Sequence, residues 1–159
     1  MNKTNVPQAT VSVVDAHLPR AGNKARTLTE VAVGILINPA GEFLLTTRPA
    51  GKVYAGYWEF PGGKLETNET VTEALKRELH EEIGINITHT EIWRESIIDY
   101  PHALVRLHFC KVRHWTGKLH MREGQSCAWQ TLPVTVSPVL AGAIPVLEWL
   151  ADEGSEGKG

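Results

Sequence analysis

Cysteine is scarce: Cys110 and Cys127 are the only two in 159 residues, they show no C-x-x-C spacing, and both fall in apolar, strand-like segments. The expectation is a pair of reduced, buried thiols with no catalytic part. Excess charge of either sign is also missing, with 16 basic against 18 acidic side chains and a formal net charge of -2. Such a balance supplies no field for polymeric nucleic acid or an anionic membrane, so neither is expected as a partner. The longest apolar runs, such as Val31 to Ile37, fall far short of the ~18 residues that span a bilayer, and the N-terminus lacks the apolar stretch of a signal peptide. A cytoplasmic protein, monomeric or weakly dimeric, is expected. The seven histidines are scattered, and His80, the one inside an acidic run, lacks the H-E-x-x-H spacing of a zinc protease.

The length suits one domain that can bury roughly 70% of its unfolded surface. Residues 1–27, polar and carrying Pro7, Pro19 and Gly22, read as an N-terminal extension in which Val11, Val13 and Val14 form either a short edge strand or a partly ordered arm. Val31–Ile37, the Asn38-Pro39-Ala40-Gly41 turn and Phe43–Thr46 predict a hairpin at the heart of a sheet. Tyr57–Phe60 is a short extended segment. Further strands are expected at Ile85–His89, Ile92–Asp99, Leu104–Arg113 and Cys127–Leu132. A last helix near Val139–Leu150, interrupted or restarted around Pro145, precedes a flexible tail, Ala151–Gly159. Strands mixed with two helices predict a three-layer α/β sandwich, with the main domain over 28–150.

The most informative segment runs from Gly63 to Ile85. Thr70-x-x-Glu73 reads as a capping box and Gly84 as a C-terminal stop, which bracket a helix. On that helix Glu78, Glu81 and Glu82 share a face, and Glu78 has Ala74 and Glu82, not cations, four residues away on either side. On a helical wheel the acidic arc borders the apolar stripe of Val71, Ala74, Leu75 and Leu79 instead of opposing it. Carboxylates held at the edge of a core need a positive partner, and an oxygen-only set suits Mg2+ or Mn2+. The alternative, a solvated acidic face, remains open on this pattern alone.

Gly-x5-Glu-x7-Arg-Glu-Leu-x-Glu-Glu-x-Gly-Ile, from Gly63 to Ile85, resembles the Nudix box of nucleoside diphosphate hydrolases at every signature position. The likeness extends to Val31–Ile35, Leu45–Pro49, Trp58–Gly63 and Arg122–Gln125, a pattern similar to the MutT branch. The resemblance implies a Nudix α/β/α sandwich with a mixed sheet, and a metal held by Glu78, Glu81, Glu82, the Gly62 carbonyl and Glu123. It implies that Glu78, or else Glu123, takes the proton from the attacking water, with Glu78 favoured. Glu69 and Arg77 match the internal ion pair of the box, with Gly63 and Gly84 structural. Arg48 and Lys64 are candidate phosphate contacts.

Glu59, Phe60, Pro61 and Gly62 fall beside the nucleotide in the family, although Trp58 and Phe60 could equally share the core side of an extended segment. The implied substrate is a nucleoside triphosphate, cleaved to its monophosphate and pyrophosphate. Ala103 and Ala143 fall where guanine-reading members carry an arginine and an asparagine, and neither alanine can hydrogen-bond a base. The 8-oxo-dGTP or dGTP type is the first expectation. A CTP or dCTP type that shares the Trp-Glu-Phe segment is the second, and a nucleotide-binding module without catalysis is the third.

Overall fold

The computed structural model describes residues 11–21 and 26–156, with side chains up to Gly154. The apolar stretch predicted for Val31–Ile37 becomes β2 (Leu28–Leu36), and it is apolar on both faces because both are covered. It runs parallel to β7 (Leu104–Val112) along its whole length and antiparallel to the short β5 (Gly62–Lys64). With β6 (Glu91–Asp99) and β1 (Val11–Val13) these make a mixed sheet of five strands in the order β1-β6-β7-β2-β5. A second sheet of three strands sets β3 (Phe43–Thr47) between β4 (Trp58–Glu59) and β8 (Cys127–Gln130).

Helix α1 (Val71–Ile83) covers one face of β2 and β7, where Leu75, Leu79 and Ile83 pack without exposure on Ala32, Leu36, Cys110 and Val112. Each such side chain contributes ~1.5–3 kcal/mol by leaving water. On the opposite face Val33, Ile35 and Phe109 meet α2 (Ile144–Glu156) through Val146 and Leu147. The result is an α/β/α sandwich. The capping box is formed, Glu73 N–H donating to Thr70 Oγ1 at 3.1 Å and Thr70 N–H to Glu73 Oε1 at 2.9 Å, and Gly84 closes the helix in the left-handed region at φ 78°.

Several expectations change. The Asn38–Gly41 turn exists, but the strands it joins share only the Ile37–Phe43 bridge and then part into different sheets, because β5 and β7 already occupy both edges of β2. Ile85–His89 is not a strand: Ile85 and Ile87 are buried under α1 while Asn86 alone bridges to Thr116, so the alternation recorded burial without pairing. Cys110 is buried, but Cys127 is exposed, since β8 is an edge strand. Helix α2 continues past Leu150 to Glu156, and Lys111 Nζ, 2.6 Å from Glu153 Oε1, holds the stretch expected to be a flexible tail.

At the other terminus Val11–Val13 pair in parallel with Ile97–Asp99, so part of the extension is built into the sheet. The rest of the extension (1–10 and 22–25) and the final residues 157–159 lie outside the described residues.

Candidate active site

The chain passes from the small sheet to the large one between Phe60 and Pro61, and that crossing opens a cavity of about 370 Å3. Glu59 and Phe60 arrive from the β4 side, Gly62, Gly63 and Lys64 from β5, Glu78 and Glu82 from α1, and Glu123 from the loop before β8. That loop is tied to the end of α1 by Arg122 N–H on the Glu82 carbonyl at 3.1 Å and His120 N–H on the Ile83 carbonyl at 2.9 Å. A carboxylate forty residues away in sequence is thereby fixed beside the helix.

Two glycines make the crossing possible. Gly62 has φ 154°, and a Cβ there would run into the Ala32 carbonyl and stand 2.9 Å from Val33 Cα, so only a bare backbone lies this close to β2. A Cβ at Gly63 would meet the carboxylate of Glu78.

Burial pushes the Glu82 carboxyl up to about 8, reinforced by the nearby charges of Glu59, Glu123 and Glu78, while a backbone contact from Gly62 pulls the other way. Glu59 is likewise raised, first by burial and against the pull of Arg48, whose Nη1 is 3.1 Å from Glu59 Oε1. Among the described residues these carboxylates do not draw together into a closed three-ligand cluster. Like charges in a poorly solvated cavity repel, and a hard cation would remove both the repulsion and the burial cost. An all-oxygen set beside bare glycine backbone fits a divalent ion of the Mg2+ or Mn2+ class.

The acidic face is not free of cations, contrary to the sequence expectation. Arg77 Nη1 donates to Glu78 Oε1 at 2.8 Å and to Glu81 Oε2 at 3.3 Å. Counting only i±4 neighbours of Glu78 overlooked the adjacent arginine, which is itself the i-4 partner of Glu81. Glu81 consequently faces away from the cavity, its side chain 57% exposed. The same guanidinium grips Glu69 in a fork, Nε to Oε2 at 2.7 Å and Nη2 to Oε1 at 2.8 Å, and Nη2 also donates to the Lys64 carbonyl at 2.9 Å. Arg77 therefore staples the Lys64–Glu69 loop to α1, and its hydrogen bonds hold the Glu69 carboxyl down at about 2.

Of the other predicted contacts, Arg48, Glu59, Phe60, Gly62, Lys64 and Ala143 all line the cavity. Arg48 spends Nε on the Val53 carbonyl at 2.6 Å. Phe60 serves both alternatives left open by the sequence, packed at 5.8 Å on Phe43 in the core while its other side meets the cavity; Trp58 packs with the core alone. Pro61 is buried at the crossing, its carbonyl accepting from Gly34 N–H at 2.8 Å.

The NUDIX domain model matches residues 28–150. The chain belongs to the NUDIX family. It is 40% identical over 104 residues to the 8-oxo-dGTP diphosphatase of Haemophilus influenzae, covering 65% of this chain and 76% of that one. It is 38% identical over 117 residues to the CTP pyrophosphohydrolase of Escherichia coli, covering 73% and 87%. Among solved structures, the solution structure of the Escherichia coli ORF135 protein superposes with a TM-score of 0.69 at 33% identity, over 82% of this chain and 94% of that one. The protein is thus a NUDIX hydrolase, of a family that generally works with a divalent metal.

Sequence reasoning missed the aromatic wall of this NUDIX site. Tyr54, Tyr100 and His102 line the cavity together with Leu140 and Gly142. Ala103, the position aligned with a base reader, lies outside the lining, in the tight turn where Tyr100 N–H donates to the Ala103 carbonyl at 2.9 Å; its neighbour His102 takes the exposed place. Burial and the charges of Arg48, Arg26 and Lys64 hold the His102 imidazole below its ordinary range, hence neutral at neutral pH. Only the Tyr-Pro-His turn between two strands could have signalled it.

Proposed function

We propose that this NUDIX hydrolase is a nucleoside triphosphate pyrophosphohydrolase that uses Mg2+, or Mn2+ in its place, and clears 8-oxo-dGTP or dGTP from the nucleotide pool. The observation that carries the reading is Glu82, a half-buried carboxylate whose pKa is raised, set among three others on a cavity that also presents Lys64 and an aromatic wall. Bound there, a divalent cation supplies charge neutralisation for the phosphate chain. Glu78, Glu82, Glu123 and the Gly62 carbonyl are the residues that would hold it, with Glu81 outside that set while it remains on Arg77.

The chain's own part is positional and protic. Glu78, pinned through one oxygen by Arg77 and pressed against Gly63, accepts the proton of a water that adds to a phosphorus of the anhydride. The P–O bond on the far side breaks and pyrophosphate leaves from the monophosphate. Glu123 is the alternative acceptor. Lys64, Lys52 and Arg48 offer positive charge to the departing phosphates.

The likeness to 8-oxo-dGTP diphosphatases supports guanine as the first base. The likeness to the CTP pyrophosphohydrolase, which spans more of this chain, supports the pyrimidine reading, and Ala143 withholds from guanine any hydrogen bond at that position. A binding module is disfavoured because Glu78, Glu82 and Glu123 all remain on the cavity. The test is turnover with Mg2+ on a panel of 8-oxo-dGTP, dGTP, CTP and dCTP, reading pyrophosphate against orthophosphate. A guanine nucleotide as best substrate with pyrophosphate as product is expected; a pyrimidine as best substrate moves the assignment to the second reading, and no turnover of any triphosphate overturns both.

A further inference from the structure

Asp15 lies in the N-terminal arm, thirty-nine residues from Tyr54, yet its Oδ2 accepts the Tyr54 hydroxyl at 2.7 Å. Both residues hold a left-handed backbone without being glycine, at φ 49° for Asp15 and φ 60° for Tyr54. A strained residue persists only where its surroundings over-determine it, and here two of them meet through one hydrogen bond. The arm is well anchored for this task. Val14 N–H donates to the Asp99 carbonyl at 2.9 Å, Ala21 N–H to the Pro101 carbonyl at 2.8 Å, and Arg20 Nη2 gathers the carbonyls of Val14 and Asp15 at 2.8 Å each.

The anchor points lead to the cavity. Asp99–Pro101 open the turn that carries Tyr100 and His102, so the arm binds the base of that turn directly. Through Asp15 it also binds Tyr54, from the separate loop between β3 and β4. The rings close into one cluster, with centroid separations of 5.6 Å for Tyr54–Tyr100, 5.9 Å for Tyr54–His102 and 5.2 Å for Tyr100–His102. All three line the cavity, and aromatic faces of this kind are what a nucleobase stacks on. Burial and Asp15 push the Tyr54 hydroxyl up to about 12, so it stays protonated and donates to the arm.

We propose that Asp15 is a positioning residue for the nucleobase: it latches Tyr54 to the N-terminal arm, and so sets the aromatic wall of Tyr54, Tyr100 and His102 on which the base rests. The inference deepens the nucleotide reading of the same cavity and rests on it.

The experiment compares the full-length protein with Asp15→Ala, Asp15→Asn and Tyr54→Phe, measuring KM and kcat for dGTP and CTP, equilibrium nucleotide binding, and inhibition by inorganic triphosphate, which has no base. Asp15→Ala and Tyr54→Phe are expected to raise KM by roughly 3- to 10-fold, the worth of one hydrogen bond, and to change it more than kcat. Asp15→Asn keeps an acceptor oxygen and tolerates the left-handed backbone, so it restores KM. The inhibition constant of inorganic triphosphate stays the same in all of them. If Asp15→Ala is destabilised, Tyr54→Phe, which keeps the ring and removes only the hydroxyl, still decides.

Unchanged nucleotide KM in Tyr54→Phe, or an equal loss of affinity for inorganic triphosphate, overturns the latch while leaving the enzyme reading intact. Wild-type protein that neither binds nor hydrolyses a nucleoside triphosphate overturns both.

Discussion

Gly63 lies against the carboxylate of Glu78, so close that a methyl group on its Cα would stand 2.6 Å from Glu78 Oε1. Its neighbour Gly62 is hemmed in by backbone, not by a side chain. The two glycines should therefore fail differently. Gly63→Ala meets the end of a flexible side chain, so the fold should survive while Glu78 is displaced and kcat falls by about 10²-fold, the cost of a misplacement near 1 Å. Gly62→Ala meets the Ala32 carbonyl and a backbone angle of φ 154°, and should lower stability by ~1–3 kcal/mol or more. Thermal melting alongside kcat separates them; a Gly63→Ala protein with full activity contradicts the placement of Glu78.

The raised Glu82 carboxyl has a definite sign for stability. Its unfolded value is 4.5 and its folded value about 8, so the unfolded chain gives up the proton first. The metal-free protein is stable below pH 4.5 with respect to this group, and loses that contribution as pH rises toward 8. Melting in chelator at pH 5.5 and pH 8.5 should show a fall at the higher pH, and Glu82→Gln should shrink it, by ~2–4 °C per kcal/mol in a domain of this size. A divalent ion should restore the wild-type Tm at pH 8.5 and not that of the variant. Equal melting at both pH values in the wild type argues against a raised Glu82 carboxyl.

Glu69 carries the opposite sign. Held down at about 2 by Arg77, it contributes stability above the ordinary carboxylate value of 4.5 that disappears as pH falls toward 2. Glu69→Gln should flatten the melting profile across that window. It should also cut kcat/KM by about 10-fold or more, because the loop it staples carries Lys64 and adjoins Gly63. A variant with wild-type acid melting removes the staple from the account.

Glu78→Gln is expected to lower kcat by about 10²- to 10⁴-fold with Tm little changed, as befits the loss of a general base. Glu123→Gln should cost less. The reverse order, measured side by side at saturating substrate and metal, transfers the base to Glu123.

Discrimination between 8-oxo-dGTP and dGTP should remain below about 10⁴-fold in kcat/KM, the level a site with dedicated hydrogen bonds reaches. Ala143 brings only a buried methyl to the cavity, and the Tyr54 hydroxyl is spent on Asp15. A larger ratio means that a polar reader, His102 foremost, has been undervalued.

The local devices were legible in the amino-acid order. Thr70, Glu73 and Gly84 bracket α1 because capping depends on residues three or four apart, and the spacing of Glu69, Arg77, Glu78 and Glu82 is set by helix geometry together with one loop. The apolar run Val31–Ile37 announced a strand at the heart of the sheet.

What could not be read is what depends on residues far apart in the chain. The parting of β2 and β3 into two sheets beyond the Ile37–Phe43 bridge follows from β5 and β7 occupying both edges of β2. The exposure of Cys127 follows from its place on an edge strand. The meeting of Asp15, Tyr54 and His102 is decided entirely by the fold, since side chains thirty-nine and more residues apart become neighbours only when packing closes the loops between them. Sequence determined the helix, its carboxylates and the staple that steadies them; tertiary packing decided which of those carboxylates face the cavity, and what wall stands opposite.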